Sequence, residues 1–287
     1  MITSDEILIH LRTFTKPRDP FLNSSHHFFA RNYIKQVMEP YGDVRSMPFE
    51  FRNMSCENII LQLPCSYPER PSIIIGAHYD TVPDSPGVDD NGSGVAVLLS
   101  LAKALSDRTY EYPVRLIAFD MEEFGLLGST HYVQSLTAAQ ERIKVMLSLE
   151  MLGYTDDAPD SQAYPPGLKY FYPNQGNFIA LVGNVRSLLS MRFLSKKIQQ
   201  AGAPCECLPV PFNGQPLPAT RRSDHAPFWD AGFPAMMVTD TADFRNPYYH
   251  SPNDTLETLN LTFITQIANG LREAIATLAK VVPSQKS

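Results

Sequence analysis

Four short runs dominate the sequence: "SIIIGA" (72–77), "VRLIAF" (114–119), "VMLSL" (145–149) and "PAMMV" (234–238). Each is nearly continuous in apolar residues, without the alternation of a half-solvated strand. Such a strand must be covered on both faces, the situation of a parallel sheet flanked by helices. Between and after these runs lie segments of helical pattern, "GVAVLLSLAKALSD", "GLLGSTHYVQSL", "VRSLLSMRFLSKKIQQAG" and "LTFITQIANGLREAIATLAKVV". "NIILQLP" (58–64) and "FIALVGN" (178–184) read as further strands. Strand and helix therefore alternate from about residue 59 onward. The expected class is α/β: a single three-layer α/β/α domain over 1–287, with a mostly parallel, mixed central sheet and helices on both faces.

Two helices are expected ahead of the sheet. "SDEILIHLRTF" opens the chain, and "HHFFARNYIKQVM" places Phe28, Phe29, Tyr33, Ile34 and Val37 on one broad apolar face. The segment 153–176, rich in Pro, Tyr and Gly, is too broken for a core element, and long loops of this kind often carry function. The loops 154–177 and 208–225 are expected to shape a pocket. The net charge of −6 leaves no basic footprint for nucleic acid or an anionic membrane. No apolar run approaches the roughly 18 residues of a membrane span. The first residues mix acids, His and Arg among apolar residues, unlike a secretory signal, so a cytoplasmic protein is expected. The four cysteines lack the spacing of a structural zinc site and read as free thiols.

In open α/β sheets, polar residues at the carboxyl ends of strands converge on a crevice. This chain has five such features. "GAHYD" puts His78 and Asp80 on one side of an extended segment. "GVDDNGSG" carries Asp89 and Asp90, and "MEEFGLLGS" carries Glu122 and Glu123 just after a strand. Glu150 closes "VMLSLE", and "YYHSPNDT" holds His250. Each alone is commonplace. Together they crowd carboxylates that repel one another unless a cation or proton intervenes. The donors are all N and O, too many for one tetrahedral zinc, and they suit two ions joined by one carboxylate, a known arrangement for hydrolysis.

The ordered set "HYD", "GVDDNGSG", "EEFGLLGS", "LEM" and "YHSPNDT" resembles the co-catalytic zinc aminopeptidases of the M28 family, over nearly the whole chain from "PRDP" near residue 17. The resemblance implies the zinc-dependent exopeptidase fold and a ligand set of His78, Asp90, Glu123, Glu150 and His250, with Asp90 as the bridge between two Zn²⁺ (Co²⁺ or Mn²⁺ suit the same donors). It implies that a water held between the ions cleaves the amino-terminal bond of a peptide substrate. Glu122 takes the role of general base, Asp80 of orienting His78, and Tyr249 of donating to the oxyanion. A cis Asp90–Asn91 bond is implied too. Many relatives have Asp where this chain has Glu150, one methylene longer with the same ligand type. Asp224 and Arg245 are candidate substrate contacts; Arg245 could also meet a neighbouring acid. Asp89 is expected to be a neighbour of the bridge and not a ligand, and His10, His26, His27 and His131 to be structural or surface residues. The competing readings are a glutaminyl-peptide cyclotransferase-like enzyme with a single zinc, and a non-enzymatic binding domain. The family also contains carboxypeptidases and other exopeptidases, so the amino-terminal specificity is carried by the resemblance alone.

Overall fold

The computed structural model describes residues 1–282. Its strands are β1 (Asp43–Phe51), β2 (Met54–Gln62), β3 (Ser72–His78), β4 (Val114–Phe119), β5 (Ile143–Glu150), β6 (Ile179–Asn184), β7 (Cys205–Val210) and β8 (Ala235–Thr239). They form one eight-stranded sheet in the order β1-β2-β4-β3-β5-β8-β6-β7. The middle four, β4-β3-β5-β8, are mutually parallel. β1, β2 and β4 pair antiparallel, as do β8 and β6, so the sheet is mixed.

The continuous apolar runs now have their cause. All seven residues of β3 are buried, and their side chains alternate between two cores. Ile73, Ile75 and Ala77 join the core beneath α1 (Ser4–Leu11), α2 (Ser24–Met38), α3 (Gly94–Leu105), α5 (Leu188–Gln200) and α7 (Leu261–Ala279). Ile74 joins the core beneath α4 (Leu127–Ala138) and α6 (His225–Asp230). Helices thus cover both faces of the sheet, and the α/β/α expectation holds.

Two strands escaped the sequence reading, and both are edges. β1 pairs only with β2, is largely exposed and contains Pro48, so it lacks the two-faced apolar signature of a central strand. β7 pairs only with β6 and presents Glu206 between Cys205 and Cys207. The short helix α6 follows directly on the expected loop 208–225, in a stretch whose sequence suggested no element. The apolar face of α2 is rotated: Phe28 and Phe29 are 56% and 58% exposed, while His27, Ala30, Ile34 and Met38 are buried. A polar contact decides this, because His27 Nε2 lies 2.7 Å from Asp120 Oδ1 and its ring stacks on Tyr79. Tyr33 and Val37 still pack on the core. All four cysteines are free, and no described helix is long and apolar enough to cross a membrane.

Candidate metal centre

The parallel strands deliver the site. β3 ends on His78, in register with Phe119 at the end of β4, so the Glu122–Glu123 turn follows close beside it. β5 ends on Glu150. Asp80 ties the first two together: its Oδ1 accepts from the Glu122 N–H and its Oδ2 from the Glu123 N–H, each at 3.1 Å. Its Oδ1 is also 3.5 Å from His78 Nδ1, whose nearer contact is the Asp80 carbonyl at 3.2 Å. Asp80 therefore faces the imidazole and additionally anchors the acidic pair, which the motif alone did not disclose.

Asp90 hangs on a heavily braced turn. Gly87 has φ +59°, and a Cβ there would sit 2.3 Å from the Asp90 carbonyl oxygen, so both conformation and space demand glycine. The Asp90–Asn91 bond is cis. Asn91 Nδ2 donates to the Leu149 carbonyl at 2.7 Å and its Oδ1 accepts from Met151 N–H, tying the turn to β5. Asp254 accepts from the backbone N–H of Asp89 (2.9 Å) and of Asp90 (3.1 Å). From the other side the buried Arg18 guanidinium donates to the carbonyls of Phe14, Lys16, Tyr79, Pro86 and Gly87 at 2.8–3.1 Å. Burial lowers Arg18 to about 10, with Asp254 and Asp80 opposing, so it stays charged at neutral pH. Asp89 is fully buried and turned away from the crevice: its Oδ1 accepts from Gly153 N–H and its Oδ2 from Asn246 Nδ2. It is a structural neighbour of Asp90.

Asn in place of Asp254 leaves one acceptor for two backbone donors. Asp254→Asn should weaken metal retention about 10- to 100-fold, in the manner of supports behind a ligand. Competition with a chromogenic chelator measures this, and unchanged retention would reduce Asp254 to a loop contact.

The five expected ligands converge. Asp90 Oδ1 lies 3.4 Å from His78 Nε2, and Asp90 Oδ2 lies 3.0 Å from His250 Nε2. Glu150 Oε1 is 3.4 Å from His78 Nε2, and Glu123 Oε2 is 3.3 Å from His250 Nε2. The two oxygens of Asp90 thus face two separate groups. Donor atoms of His78, Glu122 and Glu150 lie within 4.8 Å of one another, as do those of His78, Asp90 and Glu123. Glu150 is oriented by a residue the sequence did not suggest: Ser223 Oγ donates to Glu150 Oε2 at 2.6 Å and itself pairs with Ser148 Oγ at 2.8 Å.

The donor chemistry fits divalent cations. Burial pushes Glu122 well above the usual carboxylate range, with Glu150 and Glu123 adding to it and His78 opposing. Burial and Asp90 push Glu123 up to about 7, against the pull of the two histidines. Burial also works against Asp90, yet the imidazoles of His250 and His78 hold it below the ordinary value. Glu123 Oε1 is buried with no hydrogen-bond partner among the described residues. Buried carboxylates this poorly compensated are stabilised by a cation, and an all-N/O donor set suits Zn²⁺, Co²⁺ or Mn²⁺.

Two expected substrate contacts are not placed to touch a substrate. Asp224 is fully buried behind His78 and Glu150, with neither oxygen hydrogen-bonded, and burial raises it to about 7 with Glu150 and Asp80 adding and His78 opposing. Arg245 is 6% exposed; its Nε donates to Gln162 Oε1 (2.9 Å), its Nη1 to the Phe178 carbonyl (2.8 Å), and its guanidinium lies over the Phe178 ring. It braces the loop 153–178. Tyr249, by contrast, lines the cleft beside Glu150 and His250, its ring stacked on His250 and its hydroxyl accepting from Arg222 Nη2 at 2.9 Å. That cleft runs from Glu150 and Tyr249 over the faces of β8, β6 and β7. Residues 162–178 and 208–222 contribute its walls, as expected of the two loops.

Residues 58–275 match the family model of peptidase family M28. The chain is 36% identical to the uncharacterized protein YfbL of Escherichia coli, over 84% of this chain and 77% of that one. It is 31% identical to aminopeptidase YwaD of Bacillus subtilis, over 78% of this chain and 45% of the relative, so it spans under half the length of that enzyme. Among solved structures, the zinc aminopeptidase BSAP of Bacillus subtilis matches at 27% identity and a TM-score of 0.58, covering 83% of this chain and 53% of that one. A glutaminyl cyclase of Macrostomum lignano matches with a TM-score of 0.73 at 18% identity, covering 98% and 91%, a likeness of fold alone.

Proposed function

The chain belongs to peptidase family M28, and we propose that it is a two-zinc aminopeptidase, with residues 1–287 forming one catalytic domain. The observation that carries this is Asp90, whose two oxygens face His78 with Glu150 on one side and His250 with Glu123 on the other. In this reading the first three would hold one ion and the latter pair, with Asp90, the second. The likeness to the zinc aminopeptidase BSAP and to aminopeptidase YwaD supports zinc and aminopeptidase activity respectively. A cytoplasmic setting is supported by the four free thiols.

Bound divalent cations supply a water of lowered pKa and offset charge on the polarised carbonyl oxygen. The protein's own groups do the rest. With the Asp80 carbonyl and carboxylate both facing Nδ1, His78 carries its proton there and leaves the Nε2 lone pair for the ion. Glu122 takes the proton of the attacking water and returns it to the leaving nitrogen. Tyr249 accepts from Arg222, so its own O–H is free to donate to the developing oxyanion. Burial and the nearby Asp90 raise its pKa, keeping that proton in place.

Zinc-loaded protein should cleave aminoacyl-nitroanilides and unblocked peptides, leave N-acetylated forms intact, and contain two ions per chain. A single tightly held zinc with cyclisation of N-terminal glutamine would replace this reading with the cyclotransferase one.

A further inference from the structure

Within the cleft, one charged residue has no partner. Glu206 sits on β7, an edge strand whose alternation sends Cys205 and Cys207 toward α5 and Glu206 and Leu208 into the cleft. Its carboxylate makes no hydrogen bond or ion pair among the described residues, although it is half-buried. The hydroxyls that could serve it are engaged elsewhere: Tyr164 OH donates to the Pro173 carbonyl (2.6 Å) and Tyr172 OH to the Cys207 carbonyl (2.9 Å). Arg222, also on the cleft wall, is taken by Asp243 (2.9 Å) and Tyr249. Burial raises Glu206 above its ordinary value, and no partner counters it.

Sheet register fixes where this carboxylate stands. Glu150 pairs with Thr239, Thr239 with Ala180, and Ala180 with Glu206, a single row across β5, β8, β6 and β7. All four residues line the cleft. Three strand spacings separate the ends of that row, about 14 Å of backbone. The floor between them, Ala180 with Val182 and Met237 beside it, is apolar, and Tyr164, Tyr172 and Phe244 wall it. A side chain entering from the metal end crosses apolar surface and meets an unpaired anion flanked by aromatic rings.

We propose that Glu206 selects substrates whose first residue is lysine or arginine, its carboxylate receiving the cationic terminus while the aliphatic stem lies on the apolar floor. Lysine and arginine carry the longest amphipathic side chains, and with the Glu206 side chain reaching in from the far strand they suit this gap best; the Tyr164 and Tyr172 rings add cation–π attraction. Leucine and phenylalanine stop short of Glu206. The inference rests on the aminopeptidase reading and deepens it.

The test compares kcat/KM for lysyl-, norleucyl- and leucyl-nitroanilide. Norleucine matches the lysine stem without the charge, so their ratio isolates the carboxylate. Wild-type protein should favour lysine over norleucine, and Glu206→Gln should lower that ratio about tenfold, the low end for a hydrogen bond between charged groups. Raising the salt to 1 M should shrink the wild-type ratio in the same direction. The ratio is insensitive to the active fraction of protein, so a poorly folded variant cannot mimic the result. Norleucine preferred by wild type, or a ratio unmoved by Glu206→Gln, overturns the proposal while leaving the aminopeptidase reading intact. Cleavage of none of the three by the zinc-loaded protein instead defeats the aminopeptidase reading and the proposal with it.

Discussion

Glu122→Gln should lower kcat by about two to four orders of magnitude while leaving metal content unchanged, the range expected for loss of a positioned general base. The amide keeps the shape and the backbone N–H that Asp80 Oδ1 accepts, so the acidic turn should fold as before. What disappears is the capacity to take a proton from water and return it to nitrogen. Metal analysis beside steady-state kinetics separates the two possible roles of this residue. Glu122 stands within ligand distance of His78 and Glu150, so a ligand role would show as loss of an ion. A variant with full metal and full turnover would remove Glu122 from the chemistry. The pH profile offers an independent readout: the acidic limb set by the base in the wild-type kcat/KM should be missing from the residual activity of the variant.

The candidate ligands His78, Glu123 and Glu150 were legible because each sits at or just after the end of a strand whose apolar pattern is unmistakable. His78 and Glu150 end β3 and β5, and once those strands are recognised their termini must meet at one edge of the sheet. The residues that hold them were not legible, for a physical reason. Arg18 acts on backbone carbonyls as far as 69 positions away, and Asp254 on amides 164 and 165 positions away. Backbone groups carry no sequence signature, so nothing near Arg18 or Asp254 marks their partners. Ser223 is invisible for a similar reason, a common residue that matters only because Glu150 lies against it. Asp224 and Arg245 mislead in the opposite way, since charged residues in polar loops look solvent-facing until the chain folds over them. The edge strands β1 and β7 stayed hidden because an edge needs no two-faced apolar run. β7 is the costly omission, as its one charged side chain, Glu206, lines the cleft and has no hydrogen-bond or ion-pair partner among the described residues.

Stripping the metal should abolish turnover and also destabilise the fold, and the loss of stability should grow with pH. Without ions, Glu123 is pushed to about 7 by burial and Asp90, and Asp224 to about 7 by burial. In an unfolded chain both ionise near their ordinary values, around 4. A folded-state pKa above the unfolded one means the fold keeps the proton longer, so metal-free stability is fullest below about pH 4 and falls until about pH 7. His250, raised to about 10 against burial by Asp90 and Glu123, continues the same trend: its contribution is complete below about 6.5 and declines as pH rises toward 10. Bound cations reverse the sign for the carboxylates, because a ligand must be ionised to bind. The gap in Tm between loaded and chelated protein should therefore widen from pH 5 to pH 7.5, by about 2–4 °C for each kcal/mol in a chain approaching this size. Differential scanning calorimetry at the two pH values, with and without chelator, reads it directly. A gap that is constant, or larger at pH 5, would mean that the buried carboxylates are balanced by something other than a cation, and the two-ion assignment built on Asp90 would fall with it.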